Sequence, residues 1–294
     1  MDVLCSVRNQ VGESPVWSVR DQALWWVDIE ARRIHRFDWG AQRERSWPVA
    51  ERIGCIALHA RGGLLAAMET GIFHLAVSGD TTITPKLVAP AAFPGPGMRF
   101  NDGRTDRQGR FWVTSMVRDM SLASSAGALF RLDSRGLSTP IVSGLVTGNG
   151  LGFADDGQRM YLSDSHPSVR KVWAFDLDAT GQPRHRRLFI DMTAHPGRPD
   201  GAAVDAEGCY WTCGNDAGKV HRFSPEGRLL TSLDVPAAKP SMCAFGGPAL
   251  DRLFVTSIKP ASSVPGFDPA LAGAVFVASP GVRGLPEVPF EPAA

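Results

Sequence analysis

The sequence predicts an all-β chain folded as a six-bladed β-propeller, with four-stranded antiparallel blades around a central channel. Three observations predict it. Almost no long stretch carries apolar residues at i, i+3, i+4 and i+7, so amphipathic helices are not expected. Short apolar or aromatic runs recur instead between Gly, Asp and Pro punctuation, as strands do. The runs also repeat: six similar copies in 294 residues give about 49 residues each, a length that suits a four-stranded blade.

In chain order the copies are ALWWVDIEARRIHRFD, GLLAAMETGIFHLAV, GRFWVTSM with GALFRLDSRG, QRMYLSDSHPSVRKVWAFDLD, GCYWTCGNDAGKVHRFSPEG, and DRLFVTSI with GAVFVASPG. Each reads as a strand, a short polar turn and a second strand closing near Asp, Ser or Gly. Ahead of each copy lies a shorter run: SPVWSVRDQ, CIALHARGG, DGRTDRQG, GLGFADDGQ, GAAVDAEG and CAFGGPALD. In a propeller this first strand lines the channel, and the residue that opens it points toward the axis.

Those opening residues are the candidate site. Glu13 precedes Trp25 by 12, Asn101 precedes Trp112 by 11, Asn149 precedes Tyr161 by 12, and Asp200 precedes Trp211 by 11, which reads as one common register. The matching places in the second and sixth copies fall near Gly54 and Cys55 and near Ser241 and Met242. Asn-Gly and Asp-Gly are also turn formers, because both tolerate positive φ. However, a second turn signal follows closely, Asp155-Asp156-Gly157 in one copy and Ala206-Glu207-Gly208 in another, and makes the hairpin itself. A structural role for the Asn amides in tying blades together is the alternative.

Composition narrows the function classes. With 31 Lys and Arg against 30 Asp and Glu, no basic excess favours nucleic acid or acidic membranes. No segment reaches the ~18 apolar residues of a membrane span, and MDVLCSVRNQVGESP does not look like a signal peptide, so a cytoplasmic protein is expected. The five cysteines, Cys5, Cys55, Cys209, Cys213 and Cys243, contain no CxxC pair and support neither a disulfide framework nor a thiolate zinc site. Cys209 and Cys213 are expected on one face of a strand, as small buried residues. The four Asn residues start no N-x-Ser/Thr sequon. The whole of 1–294 is expected as a single propeller, with the Pro-rich stretch at about 285–294 a loosely held tail.

Several short patterns suggest other chemistry. Ser163, Asp164, Ser165 and His166 invite a Ser-His-Asp reading, but neighbours on a strand alternate faces and no G-x-S-x-G elbow is present. His166 is expected at the channel rim. GNDAGK at 214–219 has the wrong glycine spacing for a phosphate loop, and Val220 follows where Ser or Thr is needed. Asp102 and Asp106 lack the remaining ligands of a calcium loop. Trp25, Trp26, Trp112, Trp173 and Trp211 are expected to pack blade against blade.

Two carboxylates and an Asn carbonyl converging in a channel form an all-oxygen set that suits a hard divalent cation such as Ca²⁺, Mg²⁺ or Mn²⁺. Without one, the two acids repel in a partly dry place and one holds its proton. A cation there could polarise a carbonyl and activate water, so the simplest chemistry is metal-assisted hydrolysis of an ester or lactone. Arg99 and Asn101 bring donors suited to a hydroxyl-rich or anionic substrate.

VGESPVWSVRDQALWWVDIEARRIHRFD, RFNDGRTDRQGRFWVTSM, GNGLGFADDGQRMYLSDS and RPDGAAVDAEGCYW together resemble the successive motifs of the senescence marker protein, gluconolactonase and luciferin-regenerating enzyme family, the regucalcin-like proteins. The resemblance runs from about Val11 to Gly284. It implies a six-bladed propeller and a metal-dependent sugar lactonase that uses one divalent ion, Ca²⁺, Mg²⁺, Mn²⁺, Zn²⁺ or Fe²⁺. It implies Glu13, Asn149 and Asp200 as metal ligands, with Asp200 also the general base. Arg99, Asn101 and, in a variable loop, Asp119 correspond to substrate-binding positions. The expected substrate is a pentono- or hexono-lactone such as arabino-, xylono-, galactono- or gluconolactone, opened to the aldonic acid by a monomeric enzyme. Thr114-Ser115-Met116 stands where the family has Gly-Thr-Met, and Ser14 where Gly is commoner; both substitutions keep a small residue. Two other readings fit the same ring: a non-catalytic calcium-binding propeller, and a metal-dependent esterase or organophosphate hydrolase.

Overall fold

The structure, a computed structural model, describes residues 1–79 and 82–292, with Ser78 described through its backbone alone. Six sheets stand around a channel. Blade 1 is Gly12–Ser18, Ala23–Asp28, Arg33–Asp38 and Arg43–Pro48, and blade 2 is Ile53–Leu58, Leu64–Met68, Gly71–Ser78 and Thr82–Pro90. Blade 3 is Met98–Thr105, Phe111–Val117 and Gly127–Asp133, with an outer edge divided between Gly136–Leu137 and Val142–Leu145. Blade 4 is Gly148–Phe153, Arg159–Asp164, Lys171–Leu177 and Pro183–Asp191, and blade 5 is Arg198–Val204, Tyr210–Asn215, Lys219–Phe223 and Leu229–Asp234.

Blade 6 is built from both ends of the chain. Pro240–Gly246, Arg252–Ser257 and Phe276–Ala278 are completed by Asp2–Val3, which pairs antiparallel with Phe276–Ala278. The first strand of each blade packs on the first strand of the next, and blade 6 meets blade 1, so the inner ring closes. Closure leaves the unpaired edges of the innermost strands short and sheltered within the channel.

The residues explain the layering. Inner and second strands are almost wholly buried, as in GNGLGF and YWTCGN, because each sheet is covered on both faces by its neighbours. Fourth strands are exposed and polar, as in PRHRRLFID. Trp26, Trp112 and Trp211 are fully buried and Trp25 nearly so, while Trp173 is partly exposed beneath the Arg186 guanidinium, 4.1 Å away. The Asp-x-x-Gly turns of blades 3 and 5 secure two of these rings. Trp112 Nε1 donates to Asp106 at 2.7 Å, and Trp211 Nε1 donates to Asp205 at 2.8 Å.

Two expectations need correction. Cys209 precedes the strand Tyr210–Asn215 rather than sharing a face with Cys213, and Cys213 packs with Cys243 in the core between blades 5 and 6. The Pro-rich end is not loose. It crosses the end of the channel opposite the candidate site, where Gly284 pairs with Asp205 and Phe290 is buried and pairs with His59. Glu287 forms an ion pair with Arg104 at 2.5 Å, and Glu291 N donates to Gly109 O at 3.0 Å. Proline carries no N–H, but the residues between the prolines do, and these find carbonyl partners on the blades. Positions 293 and 294 lie outside the described residues.

Candidate active site

Each inner strand carries a one-residue bulge, falling between Glu13 and Val16, Phe100 and Gly103, Asn149 and Gly152, and Pro199 and Ala202 in the four blades of interest. The four polar residues therefore do not share one register. Glu13 and Asn149 are the last paired residues before the bulge, opposite Val27 and Ser163. Asn101 and Asp200 are the first residues within it. Val16 pairs with Trp25 and Gly152 with Tyr161, whereas Gly103 pairs with Val113 and Ala202 with Thr212. Counted from the first pair past the bulge, the hairpins of blades 3 and 5 are thus one residue longer than those of blades 1 and 4, while the distance from polar residue to aromatic residue stays nearly the same. A bulge re-aims the side chains on either side of it, and here both positions reach one cavity.

That cavity, of about 200 Å³, is lined by Glu13, Arg99, Asn101, Asn149 and Asp200, so five of the six predicted site residues come together. Blade 2 contributes no polar group for a steric reason. A Cβ at Gly54 would stand 2.3 Å from the Phe100 carbonyl oxygen, so blade 3 passes where a side chain would be. In blade 6, Ser241 turns away to donate to Gly12 O.

Hydrogen bonds set the orientation of the polar groups. Arg99 Nη1 donates to Asn101 Oδ1 at 2.7 Å, and Asn101 Nδ2 donates to Asn149 Oδ1 at 3.0 Å and to Gly148 O at 2.9 Å. Asn149 Nδ2 donates to Ser165 Oγ at 2.7 Å, which turns its carbonyl oxygen away from that wall. Asn215 Nδ2 donates to Asp200 Oδ2 at 2.6 Å. Burial pushes Asp200 up to about 7, against the pull of the Arg198 charge and the Asn215 amide. Burial, reinforced by the charges of Asp200 and Asp102, raises Glu13 well above the usual carboxylate range.

Two repelling carboxylates and one oriented amide oxygen fit a hard dication, whose charge would relieve the repulsion. Among the described residues no three His, Cys, Asp or Glu side chains gather into a metal site, so the candidate set depends on the Asn. Asp102 and Asp106 do not form a calcium loop. Asp102 accepts from Gly103 N and Leu151 N, while Asp106 accepts from Arg110 and Trp112.

Asp119 stands apart from the other five. It is exposed and caps the short 3-10 helix Met120–Leu122, with Oδ1 accepting from Ser121 N and Ser121 Oγ. Its neighbour Met120 lines the cavity. His166 is buried, and its Nε2 lies 3.1 Å from Met120 O, so it ties this loop to blade 4. Its ring bonds neither Ser163 nor Asp164; Asp164 instead accepts from the backbone of Val146, Thr147 and His166. The segment 214–219 is a hairpin turn, with Ala217 N donating to Gly214 O.

Sequence reasoning missed Arg198 and Asn215, which also line the cavity. A signal was present. Arg198-Pro199-Asp200 repeats the spacing of Arg99-Phe100-Asn101, placing a guanidinium two residues before the polar residue in blades 3 and 5. The apolar side of the cavity, Val11, Ile29, Met116, Met120 and Ile258, comes from segments far apart in sequence.

A six-bladed propeller with an oxygen-rich cavity at one end of its channel defines the class of protein. Residues 11–259 match the family described as SMP-30/Gluconolactonase/LRE-like region, and the chain belongs to that family. It is 36% identical over 97% of both chains to a 6-deoxy-6-sulfogluconolactonase of Pseudomonas putida. It is 34% identical to the pentonolactonase XacC of Haloferax volcanii, over 84% of this chain and 81% of that one. The structure of a calcium-binding protein, regucalcin, from Agrobacterium tumefaciens superposes with a TM-score of 0.89, at 27% identity, over 98% of this chain and 96% of that one.

Proposed function

We propose that this protein hydrolyses an aldono-lactone, a pentono- or hexono-lactone, to its aldonic acid with the help of one divalent cation. The observation that carries this reading is the meeting of Glu13, Asn149 and Asp200 oxygens with the hydrogen-bonded Arg99–Asn101 pair in one cavity. At about 200 Å³ the cavity is below the ~300–1,000 Å³ usual for drug-sized ligands and suits a single sugar ring. Relatives named as sugar lactonases support the same substrate class.

In this reading Glu13, Asn149 and Asp200 hold the ion. A dication held there would polarise the lactone carbonyl and offset negative charge as the ring opens. Arg99 donates to sugar hydroxyls and Asn101 Oδ1 accepts from them, and the Arg99–Asn101 bond keeps donor and acceptor at a set separation. Asn215 restrains Oδ2 of Asp200. The remaining oxygen of Asp200 takes a proton from water as its oxygen attacks the carbonyl carbon. The ring C–O bond then breaks, the departing oxygen takes the proton held by Asp200 and becomes a hydroxyl, and the new carboxyl group loses its proton to solvent as the aldonate. Substrate contact by Asp119 requires its carboxylate to leave Ser121.

A second reading, a propeller whose channel ion is purely structural, is favoured by the relative named as a calcium-binding protein. A pH-stat screen of aldono-lactones with Ca²⁺, Mg²⁺, Mn²⁺, Zn²⁺ and Fe²⁺ separates the two. Turnover above background with at least one metal, abolished in Asp200→Ala, supports the hydrolase. No turnover with any metal, or full activity in Asp200→Ala, rejects it.

A further inference from the structure

Two groups of charged side chains flank the cavity, each with one more cation than acid when Arg99 and Arg198 are counted. Near Arg99, the rim residues Arg52 and Arg118 are balanced by Glu30 and Glu69: Arg52 pairs with both acids, at 2.9 Å and 3.3 Å, and Arg118 pairs with Glu69 at 3.3 Å. On the side of blades 5 and 6 two cations share one acid. Arg198 Nε bonds Asp216 Oδ2 at 2.6 Å, and Lys239 Nζ bonds the other oxygen of the same carboxylate. Lys239 O also accepts from Ile258 N, so this pair is joined by backbone to a residue of the cavity lining, and the exposed Lys259 follows.

Arg198 itself lines the cavity, with its side chain 17% exposed. A guanidinium has five N–H donors. Arg198 directs Nε to Asp216, one N–H of Nη1 to Ser165 O at 2.9 Å, and one of Nη2 to Asn215 Oδ1 at a long 3.4 Å. One donor on each Nη remains, in a planar fork of the kind that binds an oxyanion through two hydrogen bonds. Asp216, Ser165 and Asn215 hold that fork in place, so little ordering is needed on binding.

Resting on the lactonase reading above, we propose that the Arg198 wall selects an aldono-lactone that carries an anionic group remote from its reacting carbonyl. Arg99 and Asn101, two blades away, take the hydroxyls, and Arg198 takes the oxyanion, with Lys239 leaving the shared Asp216 only partly able to neutralise it. Carboxylate, phosphate and sulfonate share the required chemistry.

The test compares one hexono-lactone bearing a terminal hydroxyl, carboxylate, phosphate or sulfonate. The full-length protein is expected to show kcat/KM at least about 10-fold higher for one charged lactone than for the neutral one, falling with added salt. Arg198→Gln is expected to lower that ratio about 10- to 100-fold, mainly through KM, as loss of charge-assisted hydrogen bonds does. Arg198→Lys restores part of it, and Lys239→Met lowers it a few-fold. Equal losses on charged and neutral lactones in Arg198→Gln, or a wild-type preference for the neutral lactone, overturn the proposal.

Calorimetric binding of the corresponding open-chain aldonates separates the two levels. Arg198-dependent binding of the aldonate that carries a second anionic group, tighter than that of the plain aldonate, without turnover of any lactone sustains the anion subsite and rejects the hydrolase. Turnover without charge preference does the reverse, and neither binding nor turnover rejects both.

Discussion

Asn215 Nδ2 donates to Asp200 Oδ2 at 2.6 Å, and Arg198 is paired directly opposite Asn215 in the blade 5 register. A partner of this kind fixes which oxygen of a carboxylate faces a ligand, and its loss typically costs about 10- to 100-fold in metal affinity or activity. Asn215→Ala is therefore expected to weaken metal binding and lower kcat by about that factor with the fold retained. Metal titration beside steady-state kinetics checks it; an unchanged metal affinity would show that Asp200 needs no such restraint.

Stability of the metal-free protein should depend on pH through Asp200. Folded, it holds its proton up to about 7 because it is buried; unfolded, it releases the proton near the ordinary Asp value of about 3.9. Between those values the folded state binds more protons, so stability falls as pH rises and levels off above about 7, by at most ~1.4 kcal/mol per pH unit. Glu13 acts in the same direction. Urea unfolding of metal-free Asp200→Asn should show it gaining on wild type from pH 4 to 7 and holding the gain above. A difference that does not vary with pH would mean that water reaches the carboxylate.

The C-terminal strap is expected to contribute to stability well beyond its length. Phe290→Ala removes a buried ring from the core of blades 2 and 3 and should cost about 3 kcal/mol. Glu287→Gln leaves the Arg104 guanidinium, only 11% exposed, without its carboxylate and should cost about 1–3 kcal/mol. Chemical denaturation of both variants provides the measurement, with the exposed Lys86→Gln, expected within about 0.5 kcal/mol of wild type, as reference.

The loop that contains Asp119 should affect substrate binding more than chemistry. His166→Ala frees Met120 O from its tie to blade 4 and is expected to raise KM several-fold while kcat stays within about threefold. Asp119→Asn keeps the side-chain oxygen that caps Met120–Leu122 and should change KM about twofold. A loss of 100-fold or more in Asp119→Asn would assign that carboxylate a direct substrate contact.

Much of the inner ring was legible because it repeats. Glu13, Asn101, Asn149 and Asp200 occupy comparable places in four copies, and turn chemistry distinguished the start of each strand from its hairpin. The bulges were not legible, since a one-residue change in pairing leaves spacing almost unaltered while it decides which way a side chain points. Asp119 entered the candidate site through the family resemblance alone, in a variable loop, and local hydrogen bonding to Ser121 draws its carboxylate to that loop.

By itself the sequence determined the six-fold repetition, the all-β architecture, the polar residues that open four inner strands and the family. Those are properties of local pattern, since period-2 burial, turn residues and recurring spacing are carried by neighbours along the chain. Tertiary structure alone decided that Asp2–Val3 completes the last blade, that Glu287 and Phe290 cross the channel, and that Arg198 joins Asp200 in the cavity wall. Each of these joins segments distant in sequence, and each is driven by exposed edges, unpaired charge and apolar surface that exist only once the ring has closed.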